Sequence, residues 1–414
     1  MRVLSARKNH EAIQFHRRES SPPGLLGSDA ESWVVEMTDN LRRWILLLGL
    51  ACAGCAPIRP APAPPPAPAA APIPQPELPQ PTATHRFDID ADTQVVGYVQ
   101  KTVIGKDDTL SDIARRFDVG YDEMVLANPG VDPWLPGAGR EVVVPTQFIL
   151  PPAPHQGVVV NLAAMRLFFY PPHKRGEQAI VYTYPIGIGR EGWKTREGTT
   201  RVTDRTKNPV WIVPASVRAE HAKDGDPLPA EVRPGPDNPL GQYRLRLGWP
   251  TYLIHGTNKP YGVGMRVSHG CMHLYPEDIA ALFDMIPVGT KVTIVNQPYL
   301  FGWEGDTLYM QAYGVMEDDR RGWSKNLDEL IARQLDANTR DEIRSHEEWP
   351  VIDGLAQSPR AVPVPIGSAD GVDAVVSRAV LVGDVLPEGS NWDGGTELSI
   401  DEKTFEKMVG TEIR

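Results

Sequence analysis

Between Pro57 and Pro81 the chain is almost wholly proline and alanine, and this stretch divides everything else. Proline fixes φ and has no N–H, and alanine buries little, so the segment favours extended polyproline II over any core. At ~3.1 Å per residue, about 25 residues reach on the order of 75 Å, which makes it a spacer. The chain has 414 residues, enough for two or three domains beyond that spacer. Charged residues are 23% and the formal net charge is −11. With no basic surplus to neutralise a phosphate backbone, no nucleic-acid partner is expected.

Ahead of the spacer, Leu41-Arg42-Arg43 leads into the apolar run Trp44 to Ala53, a basic start followed by a core too short to span a bilayer. The segment resembles a bacterial lipoprotein signal, in which Ala53-Gly54 would precede cleavage and Cys55 would become the lipidated N-terminus. Residues 37–54 are then the signal, Met37 the true start, 1–36 a spurious extension, and 55–92 a Pro/Ala-rich linker. Cys52 is the alternative lipid site and a cleaved, unlipidated signal the alternative fate; either way the protein is exported.

Only Cys52, Cys55 and Cys271 occur in the chain, so Cys271 is the one thiol left for the exported domain. An unpaired thiol in an oxidising compartment needs a reason, and catalysis competes with an inert buried side chain. Three histidines, His255, His269 and His273, flank Cys271, with Gly256 and Gly270 beside them. A thiol with an ordinary pKa is only slightly ionised at neutral pH, so it needs a base. An imidazolium and backbone donors lower a thiol pKa by ~3 units at about 4 kcal/mol. Such a pair predicts that Cys271 alkylates faster at pH 6 than an ordinary thiol. A zinc site is the rival, but structural zinc usually takes paired cysteines at short spacing, and Cys271 alone with scattered histidines would be an uncommon ligand set; no metal and no cofactor is expected. A papain-like peptidase is another, but its cysteine motif is missing and His255 precedes Cys271 here.

Along the rest of the chain, Val95 to Val99 reads as a strand, Thr109 to Phe117 and Tyr121 to Ala127 as helices, and Glu141 to Val144 as a strand. Thr109 can cap the first helix, with Asp112 at its third position and Leu110, Ile113, Ala114 and Phe117 as its buried stripe. From Gly157 short β runs follow: Val158 to Asn161, Arg166 to Tyr170, Ala179 to Tyr184 and Tyr252 to Ile254. A helix begins at Pro276 with Ile279, Leu282, Phe283 and Ile286 on one face, and Lys291 to Val295 returns as a strand. The tail from Tyr299 predicts a hairpin over Phe301 to Ala312, a helix near Leu327 to Leu335, and an apolar strand over Ala374 to Val382.

Asp108-Thr109-Leu110, Ile113-Ala114 and Asn128-Pro129-Gly130 resemble a LysM domain, the βααβ module that grips N-acetylglucosamine-containing glycans, here over 95–146; a packing domain without a ligand is the alternative. Ser268-His269-Gly270-Cys271, sixteen residues after His255, resembles the L,D-transpeptidase (YkuD) catalytic domain over 156–298, as do Ile186-Gly187-Ile188-Gly189-Arg190, Trp193 to Thr199, Asn208-Pro209-Val210-Trp211 and Asn238-Pro239-Leu240-Gly241. Gly302-Trp303 and Val362 to Ile366 resemble the subgroup whose members attach a lipoprotein to the wall or cross-link diaminopimelate residues. The resemblance implies a mostly β catalytic domain, sandwich-like, behind the small βααβ LysM domain, with an α+β region over 299–414 of no assigned chemistry. It implies Cys271 as nucleophile, His255 as base, the Gly256 carbonyl as orienting group, His269 as support, and the N–H groups of Gly270 and Cys271 for the oxyanion. His273, where the family has Arg or Asn, and Arg266 would contact substrate. The expected partners are peptidoglycan stem peptides and glycan strands, a wall-linked lipoprotein as one acceptor, and a membrane through a lipid anchor on Cys55, placing the protein in the periplasm at the outer membrane. A wall-binding anchor with an impaired catalytic domain and a hydrolase using the same thioester are the rival readings.

Overall fold

A computed structural model describes residues 86–323, 327–335, 339, 343, 349–366 and 371–383. The expectations placed on Met37, Cys52, Cys55 and the Pro57 to Pro81 spacer lie outside these residues. Among the described residues, no helix is long and apolar enough to cross a membrane.

The front portion holds β1 (Arg86–Ile89), β2 (Val95–Gly97), β3 (Gln100–Val103), α1 (Leu110–Arg116), α2 (Tyr121–Ala127), β4 (Glu141–Val144) and β5 (Gln147–Ile149). Thr109 caps α1 in a reciprocal box with Asp112, and Leu110, Ile113, Ala114 and Phe117 are buried, as the spacing predicts. The expected strand over Val95 to Val99 is displaced. Its partner is β5, and the strand that pairs with β4 is β3. The run breaks at Gly97, whose φ of 76° no extended strand adopts. The linker expectation over 55–92 is also too long, because β1 joins the next domain's sheet at its edge against residues 179–182.

The central portion holds β6 (Gly157–Asn161), β7 (Arg166–Tyr170), β8 (Ala179–Pro185), β9 (Ile188–Gly189), β10 (Gly198–Lys207), β11 (Trp211–Ile212), α3 (Ala215–Lys223), β12 (Glu231–Val232), β13 (Tyr243–Leu247), β14 (Leu253–His255), β15 (Arg266–Ser268), β16 (Met272–His273), α4 (Pro276–Met285) and β17 (Lys291–Val295). The main sheet has nine strands in the order β1-β8-β7-β6-β17-β10-β13-β14-β16. β10 serves both halves: Gly198 to Arg201 pair with β17, and after an irregularity between Val202 and Asp204 the strand continues against β13. Residues of both halves, Val158 and Leu167 with Ile254 and Met272, share one core closed by Ile279, Leu282 and Ile286 of α4 and its end. The domain is therefore mostly β, as expected.

The tail holds β18 (Tyr299–Glu304), β19 (Thr307–Ala312), α5 (Leu327–Gln334), α6 (Trp349–Gln357), β20 (Pro363–Pro365), α7 (Gly371–Arg378) and β21 (Val380–Leu381). The hairpin and the helix near Leu327 are where the sequence puts them. The strand expected over Ala374 to Val382 is instead mostly helix. Val372, Val375, Val376 and Ala379 follow helical spacing and pack together on the tail's core, leaving only Val380 and Leu381 extended. That short strand runs parallel to β3, so the tail completes the front domain's sheet.

The front domain covers the outer face of the central sheet. In β6 and β7, Val158, Val160, Leu167 and Phe169 point into the catalytic core, while Val159, Phe168 and Tyr170 pack with Leu110, Phe117 and Met124. With both faces buried the strand loses its polar alternation, which accounts for the sequence Leu167-Phe168-Phe169-Tyr170. Glu123 of α2 and Arg166 of β7 form a bidentate pair at 2.9 and 2.6 Å, with side chains 3% and 0% exposed. Arg115 binds Glu277 through two further bonds of 2.7 and 2.9 Å. The N-terminus of α2 bonds to the turn before β15, with Tyr121 and Asp122 donating to the carbonyls of Val263 and Gly264.

Candidate active site

β14 and β16 run parallel at the end of the sheet, pairing Ile254 with Met272 and His255 with His273. This register brings His255 beside the segment that carries Cys271, the one cysteine among the described residues. His255 Nδ1 donates to the Gly256 carbonyl at 2.5 Å. That bond fixes the tautomer and leaves Nε2 as the proton acceptor. The Gly256 carbonyl thus occupies the position expected of the orienting group.

The electrostatics differ from the expected ion pair. Burial, followed by the neighbouring His273, pushes His255 down to about 3, and burial pushes the Cys271 thiol up to about 11, only partly offset by the Leu253 backbone. Both shifts favour a neutral imidazole and a neutral thiol over the expected ion pair, so on these electrostatics Cys271 should gain no acceleration of alkylation at pH 6. The thiol donates to the Thr251 carbonyl at 3.4 Å. Thr251 has a φ of 71°, a left-handed conformation unfavourable for a β-branched residue, and nothing in the sequence marks it.

His273 does not face substrate. It is 5% exposed, its ring stacks 6.1 Å from that of His255, and its Nε2 donates to the Gly262 carbonyl at 3.1 Å. Burial lowers its pKa to about 4. It is a neutral wall behind the base. Arg266 is not free to meet a carboxylate alone either, because it pairs with Asp318 at 3.0 Å.

The loop carrying the thiol is held from several sides. Ser268 Oγ donates to the Cys271 carbonyl at 2.6 Å and accepts the Gly270 N–H at 3.2 Å. The expected oxyanion donor at Gly270 is therefore engaged by Ser268 in this structure. Gly270 has a φ of 102°, which requires glycine, and its carbonyl accepts from Thr195. His269 supports the loop from outside: its Nε2 bonds to Glu220 of α3 at 2.7 Å, Arg190 lies 3.1 Å from the same nitrogen, and the Trp193 ring meets it edge-on at 4.9 Å. Sequence reasoning missed Glu220, Arg190 and Thr195, whose partners are 49, 79 and 75 residues away. No group of metal ligands occurs among the described residues.

The L,D-transpeptidase catalytic domain (YkuD) matches residues 155–294, and the LysM domain matches residues 102–145. The chain is 44% identical over 213 residues to "Probable L,D-transpeptidase YcfS" of Escherichia coli (strain K12), covering 50% of this chain and 65% of that protein. It is 43% identical over 209 residues to "Probable L,D-transpeptidase YbiS" of the same strain, covering 50% of this chain and 67% of that protein. The match to the first of these spans just under two thirds of its length. Among solved structures, an L,D-transpeptidase from Mycobacterium smegmatis aligns with a TM-score of 0.27 and 20% identity over 34% of this chain and 58% of that one. Identity sustained across two thirds of the YbiS protein, with both domains in the same order as the sequence expectation, means that the chain belongs to the L,D-transpeptidase family, with a LysM domain ahead of the catalytic domain.

Proposed function

We propose that this protein is a cysteine acyltransferase of the cell envelope, an L,D-transpeptidase acting on peptidoglycan tetrapeptide stems. The observation that carries the reading is the bond from His255 Nδ1 to the Gly256 carbonyl, which leaves Nε2 as the acceptor on the strand that pairs with the segment just after Cys271. With both shifts favouring a neutral pair, Nε2 takes the thiol proton as Sγ attacks the carbonyl of the L-centred diaminopimelate, and the Cys271 N–H receives the oxyanion. The imidazolium then protonates the departing D-alanine amine, leaving a thioester. An acceptor amine loses its proton to His255 and takes the acyl group. Diaminopimelate as acceptor gives a 3-3 cross-link, a lysine of a lipoprotein gives wall attachment, and water gives a carboxypeptidase.

The LysM segment, on this reading, holds glycan strands while the catalytic domain works on their stems, and a lipid on Cys55 tethers the whole to the outer membrane. The rival of an impaired wall anchor took its support from His273 as a failed substrate contact. Its burial behind His255 removes that support. The test is to incubate the chain with tetrapeptide stems and follow D-alanine release together with a thioester mass on Cys271. Cys271→Ala should abolish both, and His255→Ala should slow acylation by roughly 10² to 10⁴. A folded chain that releases no D-alanine and forms no thioester would sink the reading.

A further inference from the structure

The turn over residues 262–264, just ahead of β15, is held from two sides. On one side the LysM domain meets it through α2, where the N–H groups of Tyr121 and Asp122 reach the carbonyls of Val263 and Gly264 at 3.2 and 3.1 Å. The two backbones touch there. Gly264 has a φ of 81°, and a Cβ added to Gly120 would lie 2.9 Å from Gly264 Cα. Glu123 fixes this end of α2, because its carboxylate accepts the Gly120 N–H at 2.8 Å while it pairs with Arg166 of the catalytic sheet.

On the other side the turn faces the active site. The Gly262 carbonyl accepts from His273 Nε2 at 3.1 Å, and the His273 ring stacks on that of His255. A Cβ added to Gly262 would come within 3.4 Å of His273 Nε2, so the imidazole fills the space against the turn. Beyond the turn, the Met265 carbonyl accepts the Ile188 N–H at 3.0 Å, and β15 runs on to Ser268, whose hydroxyl binds the Cys271 carbonyl. Between the LysM backbone and His255 there is one turn and one ring, and Gly262, Val263, Gly264 and His273 are all buried. A close-packed interior passes a displacement on from one group to the next.

We propose that the start of α2 is a positioning element for the base: the LysM domain sets the 262–264 turn, the turn sets His273, and His273 holds the His255 ring in the orientation that its bond to Gly256 selects. The proposal rests on the transpeptidase reading, in which His255 is the base. It adds that the LysM domain takes part in turnover without touching the stem peptide. A domain whose sole task was to hold glycan could be loosened with no change in the chemical step.

The test measures kcat and KM for D-alanine release from tetrapeptide stems by the full chain, together with NMR of its ¹⁵N-labelled histidine rings. Gly120→Ala sets a Cβ against Gly264 at an unstrained φ of −84° and so pushes on the turn. Tyr121→Pro deletes one of the two donors at the first helical position, where proline fits after an extended Gly120. Val142→Ala, on β4 in the LysM core, is the control that costs stability elsewhere in the same domain. Both joint variants should lower kcat about tenfold with KM unchanged, since a misplacement of about 1 Å costs up to roughly 10²-fold. They should also shift the ring N–H signals of His273 and His255, and Val142→Ala should do neither. In a His273→Phe chain, which keeps a buried ring and loses the bond to Gly262, Gly120→Ala should add little further loss. Kinetics and ring signals that respond to Val142→Ala as strongly as to Gly120→Ala, or losses that simply multiply in the double variant, overturn the proposal. If the unaltered chain releases no D-alanine while the ring signals respond to Gly120→Ala and not to Val142→Ala, the activity reading fails and the coupling stands. If D-alanine is released and the joint variants change neither kcat nor the ring signals, the coupling alone fails.

Discussion

Two regions flank the catalytic domain, and the chain attaches them in opposite ways. The LysM domain is fastened by burial: Glu123 and Arg166 are sealed together, Phe168 and Tyr170 share its core, and Gly120 lies so close to Gly264 that a Cβ on Gly264 would meet Gly120 Cα at 2.4 Å. The insertion from β11 to β12 is fastened by its surface. Of α3 only Val217 is buried, Ile212 is 67% exposed, and the helix reaches the thiol's loop through Glu220, whose side chain is 31% exposed where it meets His269. Local opening costs little where few apolar contacts are lost, and approaches the global unfolding energy where a shared core must break. One side of the site is therefore held by a shared core and the other mainly by surface contacts, so the second is expected to open at lower cost.

The largest expected effect tests how dry the fixed side is. Cys271 alkylation should rise about tenfold per pH unit, roughly a thousandfold from pH 6 to pH 9, because burial pushes the thiol up to about 11. A plateau beginning near pH 6 would mean that His255 is wet and charged. Glu123→Ala comes next, because it leaves Arg166 buried without its carboxylate. A loss of about 3–5 kcal/mol in denaturant unfolding is expected, and a loss below about 1 kcal/mol would break the shared-core description.

A pair of glycines contrasts the two regions with one substitution. Gly264 and Gly225 have φ of 81° and 79°, yet a Cβ on the first would lie 2.2 Å from Tyr121 N while the second faces open space. Gly264→Ala should cost up to about 3 kcal/mol and Gly225→Ala about 1 kcal/mol, read from unfolding midpoints; equal costs would remove the distinction. Glu220→Gln should be the mildest, within about 1 kcal/mol globally, since the pair it weakens is partly solvated. Its readout is hydrogen exchange, which should quicken in residues 215–223 and stay unchanged in 121–127. Equal acceleration in both would show that the two regions open together.

Much of this was legible early. The α1 stripe and the Thr109 cap depend on neighbours three and four residues apart, so they read directly from spacing. The strand expected at Ala374 failed because an apolar run looks alike in helix and strand until its packing partners are known, and here Val372, Val375 and Val376 meet the tail's core on one helical face. The Val95 strand is present but stops at Gly97 instead of Val99, because Gly97 turns the chain against Thr146, a contact 49 residues distant.

By itself the sequence determined which atoms are available for chemistry: one thiol beyond the Pro/Ala-rich stretch, a histidine sixteen residues before it, and a glycine between the thiol and His269. Those are covalent facts and survive any fold. Tertiary structure alone decided their charge and exposure. His273 was buried behind His255, Arg266 was taken by Asp318, and burial pushed the imidazole down and the thiol up, because desolvation and pairing are set by residues far apart in the chain that only the fold brings together.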